Sequence, residues 1–175
     1  MSNVILETGR IILREMTMDD VDDLARILSD PITMRFYPQP LDDQGVREWV
    51  ARNLNRYAQD GCGLWAMVLK DNRHVVGDCG LVVQEVEGVK DLEIGYHVNR
   101  QYWGQGLATE AARACRDYGF SHFGRQKLIS LIRPENIPSR RVAEKNGLRV
   151  VNETLLWKDI LHYVYAIERG EVIRA

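Results

Sequence analysis

The sequence predicts an α+β fold, with about four helices packed against one central, twisted, mixed and largely antiparallel sheet of about seven strands, in the order βααβββαβαββ. Three observations carry this expectation. Apolar residues alternate with a period of two in successive segments between Leu64 and Val98, the pattern of an antiparallel meander. Gly106 to Phe120 then switches to helical spacing, and the apolar run Lys127 to Ile132 follows it as the second strand of a strand–helix–strand unit. No repeat or Pro/Gly/Ser linker divides the 175 residues, so 1–175 reads as a single domain.

Taken in order, Arg10-Ile11-Ile12-Leu13-Arg14 reads as the first strand, and Thr17 with Asp19 and Asp20 reads as a capped helix start. Val21, Leu24, Ile27 and Leu28 mark the buried face of that helix. A loop containing Asp30-Pro31 and Pro38-Gln39-Pro40 separates it from a second helix, whose Val46, Trp49, Val50, Leu54 and Tyr57 recur at helical spacing. The meander comprises Leu64–Lys70, a turn at Asp71-Asn72, Val75–Val83 and Asp91–Val98. In the helix from Gly106, one side carries Leu107, Ala108, Ala111, Ala112, Cys115 and either Tyr118 or Gly119. Asn136 and Ser139 can cap a short helix that Gly147 stops. Arg149–Trp157 and Ile160–Ile167 close the chain as a hairpin over Lys158-Asp159, with Leu161, Tyr163, Tyr165 and Ile167 on one face.

Composition excludes whole classes of function. Apolar residues at 45% and charged residues at 27% belong to a globular chain rather than a disordered one. A net charge of −2 supplies no basic field for nucleic acid. The opening Met1-Ser2-Asn3-Val4-Ile5-Leu6-Glu7 lacks the basic and apolar regions of a secretion signal, and no apolar run approaches the roughly 18 residues of a membrane span. A cytoplasmic protein is expected. Cys62, Cys79 and Cys115 fit neither a disulfide framework nor a CxxC metal site and read as buried thiols. His74, His97, His122 and His162 have no metal-ligand spacing, so no metal is expected.

Chemistry concentrates where the third meander strand meets the long helix. After Leu92-Glu93-Ile94-Gly95-Tyr96-His97-Val98 comes Gln101-Tyr102-Trp103-Gly104-Gln105-Gly106-Leu107-Ala108-Thr109. Glycines allow close approach of the backbone to an anion, and the amides and dipole of a helix N-terminus stabilise its charge. The G-K-[ST] of a Walker loop is absent, and Thr109 stands where a dinucleotide fingerprint needs its third glycine. Arg133 keeps only a remote nicotinamide-phosphate alternative.

Gln101-Tyr102-Trp103-Gly104-Gln105-Gly106 resembles the Q/R-x-x-G-x-G/A pyrophosphate loop of GNAT superfamily N-acetyltransferases. Asn136-Ile137-Pro138-Ser139 with Glu144-Lys145-Asn146-Gly147-Leu148 is similar to their N-x-x-S…E-K-x-G-F segment, with Leu148 in place of the common Phe. Thr8-Gly9-Arg10-Ile11-Ile12-Leu13-Arg14 resembles the T-x-R-L-x-L-R of the RimJ/RimL type, which acetylates N-terminal amines of ribosomal proteins. The resemblance implies a GNAT-like fold and direct acetyl transfer from acetyl-CoA to an amine in a ternary complex. It places the CoA pyrophosphate on Gln101 to Leu107, with Ala108 and Thr109 continuing the helix start, and the pantetheine along His97 and Val98. The Val98 amide is implied as the donor to the thioester carbonyl. Asn136 would bind near the thioester, and Ser139 would bond to the sulfur or protonate the leaving thiolate. Ala143 occupies the position of the family's usual tyrosine acid.

In an unbulged strand Glu93, Gly95 and His97 share one face while Leu92, Ile94, Tyr96 and Val98 share the other, which leaves Glu93 facing a cleft. Its family counterpart often serves as the base, and an α-amine of pKa about 7.7–8.0 asks less of a base than a lysine does. His97 is the other candidate base, and a lone strand histidine also has a structural reading. Trp103 reads as a packing anchor for the loop. The acceptor is expected between the first two helices, the Phe36-Tyr37-Pro38 loop and the last hairpin, and Asp19, Asp20, Asp22, Asp23, Asp42 and Asp43 could lend that edge a negative field. A protein or peptide α-amine is the first expectation for the acceptor, and a small amine such as a polyamine, amino acid or antibiotic the alternative. A non-catalytic acyl-CoA sensor is the reading from another class. Monomer and homodimer are both open.

Overall fold

The computed structural model describes residues 3–157 and 159–172. Met1, Ser2 and Lys158, the first residue of the expected last turn, lie outside them. Eight strands form one sheet in the order β1-β2-β3-β4-β5-β6-β8-β7. These are β1 (Val4–Glu7), β2 (Ile11–Arg14), β3 (Leu64–Leu69), β4 (Val75–Val86), β5 (Val89–Val98), β6 (Lys127–Ile132), β7 (Arg149–Leu156) and β8 (Ile160–Glu168). Among the described residues only β5 and β6 run parallel. The helices are α1 (Val21–Leu28), α2 (Asp43–Asp60), α3 (Leu107–Ser121) and α4 (Ile137–Lys145).

The strand missed by periodicity is β1. It is a partly exposed edge strand, held by its ladder with β2 and by Ile5 and Leu6 packing on the core, so its few residues show no clean alternation. The β4–β5 hairpin also reaches further than expected, to a two-residue turn at Glu87 and Gly88, both left-handed (φ 51° and 81°). Thr17 opens a short 3₁₀ turn, Met18–Asp20, before α1 begins.

Helices cover the sheet on both faces, which explains why every residue of β3 is buried. Trp65 and Met67 of β3 join Leu107, Ala111, Ala112 and Cys115 of α3 in one apolar cluster. Leu64, Ala66 and Val68 join Leu24, Ile27, Val46 and Val50 of α1 and α2 in the other. At about 25 cal/mol per Å² of apolar surface, these two layers supply most of the burial that offsets chain entropy. The thiols of Cys62, Cys79 and Cys115 are buried and free. No helix among the described residues is long and apolar enough to cross a membrane.

Candidate active site

The sheet opens at its centre. β5 and β6 pair only at Leu92↔Leu128 and Glu93↔Ile129, and then diverge. Asn99 N–H donates to Val76 O, which sets the hydrogen-bonding parity of the unbroken β4–β5 ladder. By that parity the peptide groups of Leu92, Ile94, Tyr96 and Val98 face away from β4, towards the gap. The Ile94 carbonyl accepts from Ser130 Oγ at 2.8 Å, and the Val98 carbonyl accepts from Trp103 Nε1 at 2.7 Å. Trp103 is therefore an anchor by hydrogen bond; its ring is 42% exposed and packs into no core. This corrects the expected packing role, because the ring's single donor outweighs its area at this position.

The loop after β5 is shaped by its own residues. Asn99 Oδ1 accepts from Gln101 N–H and opens a short 3₁₀ turn, Arg100–Tyr102. Gly104 and Gly106 are left-handed, with φ 75° and 78°. A Cβ on Gly104 would meet nothing within 4 Å, so its glycine answers to backbone conformation and leaves the space above it open. Gly106 caps α3 without a side chain, and the first amide to close the helix is that of Glu110, onto Gly106 O. The amides of Leu107, Ala108 and Thr109 are consequently directed out of the helix end, a ready anion cradle. Alongside runs an open groove of about 500 Å³ lined by Arg10, Arg113 and Lys145 among others.

Arg10 and Thr8, between β1 and β2, hold this loop from outside. Arg10 Nε donates to Glu110 at 2.7 Å and its Nη1 to Gln105 O at 2.9 Å, while Thr8 Oγ1 donates to Glu110 at 2.6 Å. The Thr-x-Arg of the opening segment thus acts on the loop a hundred residues away.

Glu93 faces the opposite side of β5 from the α3 cluster, as the alternation predicts. It is half-buried, and its carboxylate accepts from Gln84 Nε2 at 2.8 Å and from Leu131 N–H at 3.3 Å. Burial pushes its pKa above the ordinary carboxylate value, against the opposing pull of those hydrogen bonds. Asn136 caps α4, its Oδ1 accepting from Ser139 N–H at 3.3 Å. The Ser139 carbonyl accepts from Tyr96 Oη at 2.8 Å. Ala143 is buried in the core under α3.

Glu93, Tyr96, Ser130, Arg133, Asn136 and Ser139 share a cavity of about 50 Å³ with Phe36, Tyr37, Trp157 and His162. The Phe36-Tyr37 loop and the last hairpin thus meet at this cavity, whereas no residue of α1 or α2 lines it, contrary to expectation. None of the six aspartates lines this cavity. Asp20 pairs with Arg14 at 2.7 Å, Asp42 caps α2 through Gly45 N–H, and Asp23 pairs with Arg26, so local structure accounts for these three.

His97 is not a lone strand histidine. Its Nδ1 lies 2.7 Å from Asp78 Oδ1 and its Nε2 lies 2.6 Å from Tyr37 Oη. Asp78 is fully buried on β4, and its Oδ2 accepts from Trp49 Nε1 at 3.0 Å. Sequence reading missed Asp78, although a lone acid among the apolar residues of Val75–Val83 was a legible signal. Gln84 and Trp49 carried none.

The Acetyltransferase (GNAT) domain model matches residues 10–149. The chain belongs to the GNAT acetyltransferases. Uncharacterized protein YkkB of Bacillus subtilis (strain 168) is 40% identical over 153 residues, covering 87% of this chain and 89% of that protein. A GNAT-family acetyltransferase from Bacillus anthracis superposes with a TM-score of 0.80 at 28% identity, over 98% of this chain and 100% of that one. Mycobacterium smegmatis RimJ, solved with CoA-disulfide, shares the fold at a TM-score of 0.72 and 23% identity, over 94% of this chain and 85% of that one. As a GNAT member the protein is an N-acetyltransferase, and acetyl-CoA is the family's acyl donor.

Proposed function

We propose that this GNAT protein acetylates a protein or peptide N-terminal α-amine, as RimJ/RimL enzymes do, by direct attack in a ternary complex. The observation that carries the reading is the juxtaposition of the opened β5–β6 gap, with Glu93 on its wall, and the outward amides of α3. The donor fits: left-handed Gly104 and Gly106 and an α3 start without a side-chain cap match a diphosphate, and the adjoining groove brings Arg113 and Lys145, beside Glu110 and Asp117, within reach of its nucleotide.

In this reading Gln101 to Thr109 hold the pyrophosphate, and the strand edge at His97 and Val98 lies along the pantetheine. Acetyl-CoA supplies an activated acyl group on sulfur. The Val98 N–H, facing the gap, is the donor available to a carbonyl placed there. Glu93 accepts a proton from the amine, and its raised pKa suits that task. Asn136 and Ser139 bring an amide and a hydroxyl to the same cavity, with Ser139 the candidate donor to the leaving sulfur in place of the tyrosine that Ala143 replaces. The protein acts in the cytoplasm, as one domain and without a metal.

Calorimetric titration with acetyl-CoA of the wild type and of Gly104→Glu tests donor binding. Micromolar binding that the glutamate abolishes is the expected result, and equal binding by both proteins rejects the loop assignment. CoA release with peptides bearing free or blocked N-termini, set against polyamines and amino acids, tests the acceptor. Preference for a small amine would transfer the reading to that class.

A further inference from the structure

We propose that Tyr37, His97 and Asp78 form a second proton-accepting chain for the acceptor amine, with Tyr37 the group that touches the amine and His97 and Asp78 acting through it. The inference rests on the acetyl-transfer reading above and deepens it.

Proton counting gives the reason to look for a second acceptor. An α-amine of pKa about 7.7–8.0 is mostly ammonium at neutral pH. On becoming an amide it loses two protons: one to become a nucleophile, and one as the C–N bond forms and the C–S bond breaks. Glu93 can take the first. Its carboxylate already accepts from Gln84 and Leu131, and once protonated it has no capacity for another.

The hydrogen-bond directions in the buried chain supply the second. An indole N–H can only donate, so Trp49 makes Asp78 Oδ2 an acceptor, and in the proposed chain His97 takes the tautomer in which Nδ1–H donates to Oδ1. In that tautomer Nε2 of His97 accepts from the Tyr37 hydroxyl, whose oxygen retains a lone pair, and Tyr37 lines the same cavity as Glu93. A hydrogen bond from the amine to that oxygen completes a line from nitrogen to carboxylate. As the C–N bond forms, the nitrogen's proton passes to Tyr37 Oη, and the hydroxyl proton passes to His97 Nε2. Sulfur leaves with the C–S electron pair. The charge gained by His97 faces Asp78, an arrangement with the logic of a triad in which a buried acid orients the base. The protons on His97 and Glu93 then return one to the leaving sulfur and one to solvent, so the chain is reset.

Burial, with the charges of Glu93 and Asp78, pushes the Tyr37 phenol far above its usual value, so Tyr37 passes a proton without a free phenolate stage. Charged and titratable groups around the chain are Arg56 and Tyr57 from α2, Asp78 from β4, Glu93 and Tyr96 from β5, Arg133 beyond β6 and His162 from β8. The ring of Trp157, with its centroid 5.4 Å from that of Tyr37, covers the outer side.

Tyr37→Phe keeps the ring and removes only the hydroxyl. CoA release is followed against pH for wild type, Tyr37→Phe and Asp78→Asn on whichever free N-terminal peptide the wild type acetylates, with acetyl-CoA affinity measured by calorimetry. Tyr37→Phe should lower kcat by about 10²-fold while acetyl-CoA affinity changes less than about twofold. Asp78→Asn should shift the pH profile of kcat/KM in the Glu93→Gln background as well as in the wild type, which neither loss of a purely structural contact nor a field effect on Glu93 would do. Should Asp78→Asn not fold, Tyr37→Phe decides alone. A Tyr37→Phe enzyme with wild-type kcat and an unchanged pH profile overturns the chain and leaves acetyl transfer standing. A wild type that binds acetyl-CoA yet acetylates nothing overturns the proposed function, and the chain with it.

Discussion

Arg10 Nη2 and Glu110 Oε2 lie 2.6 Å apart, joining the β1–β2 turn to the first turn of α3. The arginine is half-exposed, so the pair itself is worth less than about 1 kcal/mol of stability. Its consequence is positional, since the same guanidinium holds Gln105 O inside the glycine loop. Arg10→Ala is therefore expected to leave the denaturation midpoint nearly unchanged and to weaken acetyl-CoA binding about tenfold, one released charge-assisted hydrogen bond. Calorimetry and urea unfolding on the same samples separate the two effects.

Glu93 predicts the pH behaviour of activity. With Glu93 as the proposed base, its burial-raised pKa means that the carboxylate is lost at a higher pH than for an ordinary glutamate, and the acid limb of kcat/KM should shift upward accordingly. The stability sign is opposite to that of a salt-bridged acid. A folded-state pKa above the unfolded value favours folding below the unfolded pKa, and that contribution is lost as pH rises through the folded pKa. Glu93→Gln should thus lower kcat by about 10²-fold with equal or higher stability at pH 8, as measured by rate profiles and thermal unfolding.

Asp20 titrates in the other direction. Desolvation opposes its ionisation, but the Arg14 guanidinium and Thr17 N–H outweigh that and hold its pKa below the usual range. Its contribution is present above the unfolded pKa and lost as pH falls through the lowered folded value. Asp20→Asn should cost about 3 kcal/mol at pH 7, because it leaves a half-buried Arg14 without its charge partner, and the gap to wild type should narrow towards pH 3. Urea titrations at both pH values check this.

Two glycines separate steric need from conformational need. A Cβ on Gly80 would sit 2.0 Å from Gly63 O, inside the β3–β4 ladder, so Gly80→Ala should destabilise by about 3 kcal/mol or more. Gly104→Ala meets no atom and should cost only about 1 kcal/mol, the penalty of a left-handed alanine. Equal losses in urea midpoint would reject that distinction.

Much was legible in the residue order, for a physical reason. Period-two alternation, the helical spacing after Gly106 and the glycine loop are local statements, and backbone geometry reads them the same way in most contexts. They determined the α+β class, the order of helices and of all strands but β1, the faces of β5, and the glycine start of α3. Chain topology and packing decided the rest. The gap between β5 and β6 exists because a parallel pair joined by α3 can diverge after a short contact, and no residue encodes that separation. Asp78, His97, Trp49 and Tyr37 come from β4, β5, α2 and the α1–α2 loop, and hydrogen bonding between such distant positions leaves no periodic trace in the sequence. The residue order by itself therefore determined the glycine loop and the start of α3 without a side-chain cap, because both depend on consecutive backbone positions. Only the tertiary structure decided which side chains line the cavity beside β5, because they meet through folding alone.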